Sequence, residues 1–238
     1  MRSTMAVWLP DPAWRLGLFG LLLLPVVMAL DGLIFPSGWP IAFAVHMAGV
    51  AIVVWGMATA YPHGHAGACN LVTMLRLALV AVLAAGVGVA GPMETGTVWA
   101  IFALAVLALS LDGVDGWLAR RAGLSSDFGA RFDMETDAAL AAVLAALLMA
   151  EGRVGPEILI LGLTRYVYVA ASLVWPWLAS PLYPSLRRKT VCVIQIGTLA
   201  VLTLPVLPDG FARPLAVTAS VLLVWSFVRD IRWLAARR

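Results

Sequence analysis

Apolar stretches about 20 residues long follow one another along nearly the whole chain, and nothing constrains its fold more. A helix needs about that many apolar residues to cross the hydrocarbon core of a bilayer. Eight such segments can be placed, at residues 15–35, 40–60, 70–91, 97–118, 128–150, 156–177, 190–207 and 212–234. The breaks between them carry turn residues, such as Pro36-Ser37-Gly38, His63-Gly64-His65, Gly91-Pro92, Glu151-Gly152-Arg153, Ser180-Pro181 and Pro208-Asp209-Gly210. The expected fold is all-α: a polytopic membrane bundle of about eight transmembrane helices. Only 12% of residues are charged and 62% are hydrophobic, whereas soluble domains carry about 25% charged residues. That deficit excludes a soluble domain, a disordered chain and a nucleic-acid-binding module. Cys69 and Cys192 offer neither a disulfide framework nor metal spacing and read as buried or interfacial thiols. No cleavable signal peptide is expected, because no small-residue cleavage site and polar mature domain follow the first apolar run.

The basic residues orient the bundle. With eight spans, Arg2, Arg15, Arg120, Arg121, Arg131, Arg187, Arg188, Lys189, Arg229, Arg232, Arg237 and Arg238 fall on one side, and only Arg153 and Arg213 on the other. Cytoplasmic loops carry the excess of Lys and Arg, so both termini are expected in the cytoplasm. This asymmetry also explains the net charge of +3 without an anionic polymer as partner. Trp8, Trp14, Trp39, Trp177 and Trp233 near span ends fit an aromatic belt.

Six of the 13 acidic residues lie between Asp112 and Asp137. Asp127 and Glu135 suit solvated positions. Asp112 and Asp115 are three apart and share a helical face; Gly129, Asp133 and Asp137 form a stripe on the next helix. The intervening loop is short, so the two helices are expected as antiparallel neighbours whose four carboxylates converge at the cytoplasmic end. Such a group requires counter-charge. All-oxygen ligands select Mg²⁺, Mn²⁺ or Ca²⁺, and a pair of such ions is the usual clamp for in-line displacement at phosphorus. Gly116 and Gly129 leave room for a ligand or, equally, for a packed helix. Arg120 can neutralise phosphate oxygens.

The run Asp112-Gly113-Val114-Asp115-Gly116-Trp117-Leu118-Ala119-Arg120, followed by Gly129, Asp133 and Asp137, carries the pattern D-x-x-D-G-x-x-A-R-x8-G-x-x-x-D-x-x-x-D at every fixed position. It resembles the signature of the CDP-alcohol phosphotransferase family. Asn70-Leu71-Val72-Thr73-Met74-Leu75-Arg76 is similar to the N-x-x-T-x-x-R that opens that family's first core helix. The resemblance covers about residues 67–235. It implies residues 67–238 as a six-helix core and 1–66 as two additional N-terminal helices. It also implies transfer of a phosphoalcohol from a CDP-alcohol to a second alcohol with release of CMP, CDP-diacylglycerol being the expected donor in phospholipid biosynthesis. On this analogy Asp112, Asp115 and Asp133 hold two divalent ions, Mg²⁺ or Mn²⁺. Asp137 takes the acceptor's proton and also touches metal. Gly116 and Ala119 let cytidine approach, Arg120 contacts the diphosphate, and Gly129 lines the nucleotide pocket, with Asn70 and Thr73 as polar supports. Members are commonly dimers, so a homodimer is an expected assembly.

Arg165 lies inside the sixth span, where an ionisable residue is a functional candidate by default; a structural ion pair is its other reading. The family often has an acid after this Arg, and Tyr166 stands here instead. Lys189-Thr190 loosely resembles a basic residue and Thr of the family, and topology anchoring explains Arg187, Arg188 and Lys189 equally well. Arg131, Arg165, Arg188 and Lys189 together would suit a phosphorylated acceptor, with glycerol 3-phosphate the first expectation. His46 reads as a packed histidine, and His63 and His65 as an interfacial loop. Two rival functions are an intramembrane prenyltransferase gripping Mg²⁺-diphosphate and a cation transporter. The first places its acidic motifs far apart in the chain, and the second favours midplane sites within repeats; neither pattern occurs here.

Overall fold

The computed structural model describes residues 11–89, 93–152, 154–183 and 185–237. Arg2, Trp8, Gly91, Pro92, Arg153 and Arg238, used in the sequence argument, lie outside them. The described residues form eight α-helices and no strand: α1 (Asp11–Ile34), α2 (Trp39–Ala60), α3 (Ala68–Ala85), α4 (Thr95–Ala122), α5 (Asp127–Glu151), α6 (Ile158–Val174), α7 (Leu186–Leu202) and α8 (Asp209–Ala235). Five of the described helices are long and apolar enough to cross a membrane: α1, α2, α3 with its 3₁₀ extension to Gly88, α4 and α8. α5 has 25 residues but carries Asp133, Glu135 and Asp137 within its length, while α6 and α7 have 17 residues each.

α3 is the axis of the bundle. Its apolar window is 72% buried, against 22% for α1 and for α4, and it packs against α1, α2, α4 and α5. Its sequence explains the position: Leu77 to Ala85 contains only Ala, Leu and Val, apolar on every face. The outer helices bury one stripe and present Leu22, Leu33, Ile52, Trp55 and Leu173 outward. So much exposed apolar surface suits hydrocarbon rather than water.

The α1–α2 hairpin is locked at Gly20, where an added Cβ would meet a Val50 methyl at 2.7 Å. The bare backbone there lets buried His46 reach the Gly20 carbonyl at 2.8 Å. One cluster ties this hairpin to the rest: Leu16, Val50, Val53, Met57, Met74, Phe128 and Phe132 bring α1 and α2 onto α3 and the first turns of α5. On the other side α6 packs on α5 at Gly162, where a Cβ would lie 2.6 Å from that of Ala145.

α4 ends at Gly123, whose φ of +66° is the left-handed conformation that glycine adopts without a Cβ penalty. Leu124 N–H then returns to the Ala119 carbonyl at 3.0 Å. Ser126 caps α5, its Oγ accepting from Gly129 N–H at 3.1 Å. Despite this short connection, α4 packs chiefly on α3, and α5 on α6 and α3, rather than on each other. The expected pairing of the two acidic helices is therefore replaced by an arrangement across a third. Charge gives the physical reason: carboxylates from both helices can gather only around a counter-charge, and α3 supplies that cation.

Candidate active site

That cation is Arg76, a residue 1% exposed in the middle of α3. Asn70, Thr73 and Arg76 recur every third position on one face of α3; Asp112, Asp115, Gly116 and Ala119 share a face of α4, and Gly129, Asp133 and Asp137 recur every fourth position on α5. The three stripes meet. Arg76 Nη1 donates to Asp115 Oδ2 at 2.8 Å and to Asp133 Oδ1, while Nη2 donates to Asp137 Oδ1 and lies 3.2 Å from Asp112 Oδ1. Its Nε donates to the Ala108 carbonyl at 3.1 Å, which fixes the plane of the fork. Thr73 Oγ1 lies 2.9 Å from Asp115 Oδ2 and 3.0 Å from the Cys69 carbonyl, so one hydroxyl hydrogen serves two acceptors.

One guanidinium does not balance four carboxylates. Oxygen atoms of Asp112, Asp133 and Asp137 lie within 4.8 Å of one another, close enough to share a metal ion. Asp115 Oδ1 is buried with no hydrogen-bond partner, a costly condition that an added cation relieves. The donor set is all oxygen and fits a hard divalent cation.

Beside the carboxylates lies a cavity of about 200 Å³. Asn70, Thr73, Gly116, Ala119, Arg120 and Gly129 line it, together with Asp115 and Asp133. Ser125 and Ser126 complete the wall at the N-terminus of α5, whose free N–H groups and dipole favour an anion. The two glycines can be read directly. An added Cβ at Gly116 would meet only Arg120 Nη1 at 3.3 Å, and one at Gly129 only Ser126 Oγ at 3.3 Å. Among the described residues no second helix packs on either, so the space they leave belongs to the cavity.

The basic residues considered for an acceptor sit elsewhere. Arg131 and Lys189 are exposed. Arg165 pairs with Glu135 at 2.5 Å. Arg188 donates to the Tyr183 carbonyl and lies 3.5 Å from Asp230. Arg187 holds the buried Asp230 at 2.5 Å and also bonds Ser226, so Asp230 is a buried ion-pair partner linking α8 to α7. None of these basic side chains lines the cavity.

Three further side chains reach the site without a role that sequence spacing assigns. Arg76 closed the N-x-x-T-x-x-R run, and a charged residue inside an apolar span was itself the available signal. Cys192, on α7, brings its thiol to 3.5 Å from Asp137 Oδ2, and Cys69 lines the cavity. Neither cysteine carried a pattern that could have placed it.

Carboxylates close enough to share a divalent cation, set beside a cavity wall built on a helix N-terminus, form a site suited to a phosphate-bearing ligand. The comparison with protein families narrows this. The model for CDP-alcohol phosphatidyltransferase matches residues 67–228, which is α3 through most of α8, and the chain belongs to that family. No curated protein and no solved structure matches it. α1 and α2 lie outside the matched residues.

Proposed function

We propose that this protein transfers a phosphatidyl group from CDP-diacylglycerol to a small alcohol and releases CMP, with glycerol 3-phosphate the first acceptor to test. The observation that carries the reading is the gathering of Asp112, Asp115, Asp133 and Asp137 around Arg76, with Asp115 and Asp133 in the wall of the cavity. The cytidine enters along Gly116, Ala119 and Gly129, where side chains are small or missing. Asn70 and Thr73 support it from α3. Arg120 and the α5 N-terminus receive the diphosphate. Asp112, Asp115, Asp133 and Asp137 would hold two ions, Mg²⁺ or Mn²⁺, which neutralise the diphosphate and polarise the phosphorus under attack. Asp137 accepts the proton of the acceptor hydroxyl as its oxygen bonds to the phosphatidyl phosphorus and the bond to CMP breaks. The acyl chains stay in the bilayer.

A phosphorylated acceptor would draw on Arg131, Arg165, Arg188 and Lys189, with Arg165 and Arg188 exchanging Glu135 and Asp230 for its phosphate. In this reading residues 67–238 are the catalytic core of a bacterial inner-membrane enzyme, a homodimer, with its site and both termini facing the cytoplasm. The test is a panel of acceptors with CDP-diacylglycerol labelled in the lipid. Glycerol 3-phosphate should give labelled phosphatidylglycerol phosphate. Label appearing only with serine or another alcohol would reassign the acceptor. CMP as the released product also separates this reading from a prenyltransferase, which releases diphosphate, and from a transporter, which releases nothing.

A further inference from the structure

The α1–α2 hairpin precedes the matched residues, yet it reaches the cavity wall. α2 ends at Ala60, and Tyr61 follows in an extended conformation. Its ring lies 5.6 Å from that of Phe128, edge to face, in the first turn of α5. Its hydroxyl lies between two partners: it donates to the His65 carbonyl at 3.3 Å and accepts from Asn70 Nδ2 at 3.1 Å. His63 packs against the same ring at 5.2 Å. Asn70 is 3% exposed and lines the cavity. Tyr61 therefore touches both α3 and α5 at the point where they form the pocket.

The donor and acceptor bookkeeping of this contact is restrictive. A phenol has one hydrogen, and here it is committed to the His65 carbonyl. Toward Asn70 the hydroxyl oxygen can then only accept, so the amide must turn its NH₂ to Tyr61. The remaining amide atom, Oδ1, is a pure acceptor. Burial raises the Tyr61 pKa above its ordinary value, so the hydroxyl remains neutral and keeps this polarity at physiological pH.

We propose that Tyr61 is a positioning residue contributed by the N-terminal hairpin, which fixes the Asn70 amide so that its oxygen takes a hydrogen bond from an N–H or O–H donor of the bound nucleotide. The ligand groups with that chemistry are the cytosine amino group and the ribose hydroxyls. The proposal rests on the nucleotide reading of the cavity. It gives α1 and α2 a task beyond crossing the membrane: they hold in place the residue that sets the polarity of one wall.

The test uses the full-length protein in detergent, with CMP binding by calorimetry and steady-state release of CMP from CDP-diacylglycerol in mixed micelles. Y61F should weaken CMP binding and raise the KM for CDP-diacylglycerol about three- to tenfold, the usual worth of one hydrogen bond, while kcat stays within about twofold. N70A should lose at least as much. The double variant should be no worse than N70A alone, because Tyr61 acts through Asn70. A merely structural Tyr61 would give effects that multiply, and that result overturns the proposal. So does Y61F binding CMP as the wild type does, or N70A doing so if Y61F does not fold. Failure of the wild type to bind CMP removes the nucleotide reading and this inference with it. Wild-type binding with an indifferent Y61F removes this inference alone.

Discussion

Arg76 on α3 and Asp115 on α4 meet at 2.8 Å in the interior of the bundle, and the same guanidinium reaches Asp112, Asp133 and Asp137. A single buried side chain thus joins three helices that carry the chemistry. Removing one partner of a buried ion pair costs about 3–5 kcal/mol, because the other charge is left uncompensated. R76M should therefore lower the melting temperature of the detergent-solubilised protein. Mg²⁺ should raise that temperature more in R76M than in the wild type, since the ion replaces the missing counter-charge. R76K should fall between them, because an ammonium lacks the planar fork. An R76M variant as stable as the wild type would show that Arg76 does not organise the carboxylates.

D112N, D115N and D133N should each abolish turnover. D112N and D133N should also weaken Mn²⁺ binding by about tenfold or more, the cost seen even for residues that only support metal ligands. D115N should in addition destabilise the fold, since Asp115 is held by Arg76 and Thr73. Titration of Mn²⁺ by electron paramagnetic resonance measures affinity without requiring turnover. Unchanged affinity in all three variants would remove the metal assignment.

D137N separates a proton acceptor from a metal ligand. General-base catalysis contributes about 10²–10⁴-fold, so single-turnover CMP release at saturating CDP-diacylglycerol and Mn²⁺ should fall by that factor. Nucleotide affinity should fall much less. If affinity and rate fall together, Asp137 serves mainly as a ligand.

Much of this was open to reading from the sequence. The helices fall within a few residues of the apolar segments because a bilayer-length hydrophobic run permits little else. Asp112, Asp115, Asp133 and Asp137 converge because helical periodicity puts each pair on one face. The departures arise where tertiary packing decides. A short loop between α4 and α5 implied direct pairing, but no local signal says that α3 lies between them. Likewise no local pattern announces that Arg188 bonds the Tyr183 carbonyl and lies beside Asp230, a partner 42 residues further on. Tyr61 was invisible because its importance depends on a contact with Asn70 across a turn.

Orientation yields a separate prediction. With both termini cytoplasmic, a cysteine placed at Glu94 or Asp209 in a background lacking Cys69 and Cys192 should react with a membrane-impermeant maleimide applied outside. One placed at Ser125 should not. The reverse pattern would put the cavity on the external face and contradict a cytoplasmic nucleotide site.

CMP release by the purified protein from CDP-diacylglycerol, measured with Mg²⁺ or Mn²⁺, with EDTA, and with D133N, tests the carboxylate site most directly. The prediction is acceptor-dependent CMP formation with either ion, and none with EDTA or in D133N. CMP release that is unaffected by EDTA and by D133N would contradict the claim that the carboxylates around Arg76 form a divalent-cation site for phosphatidyl transfer.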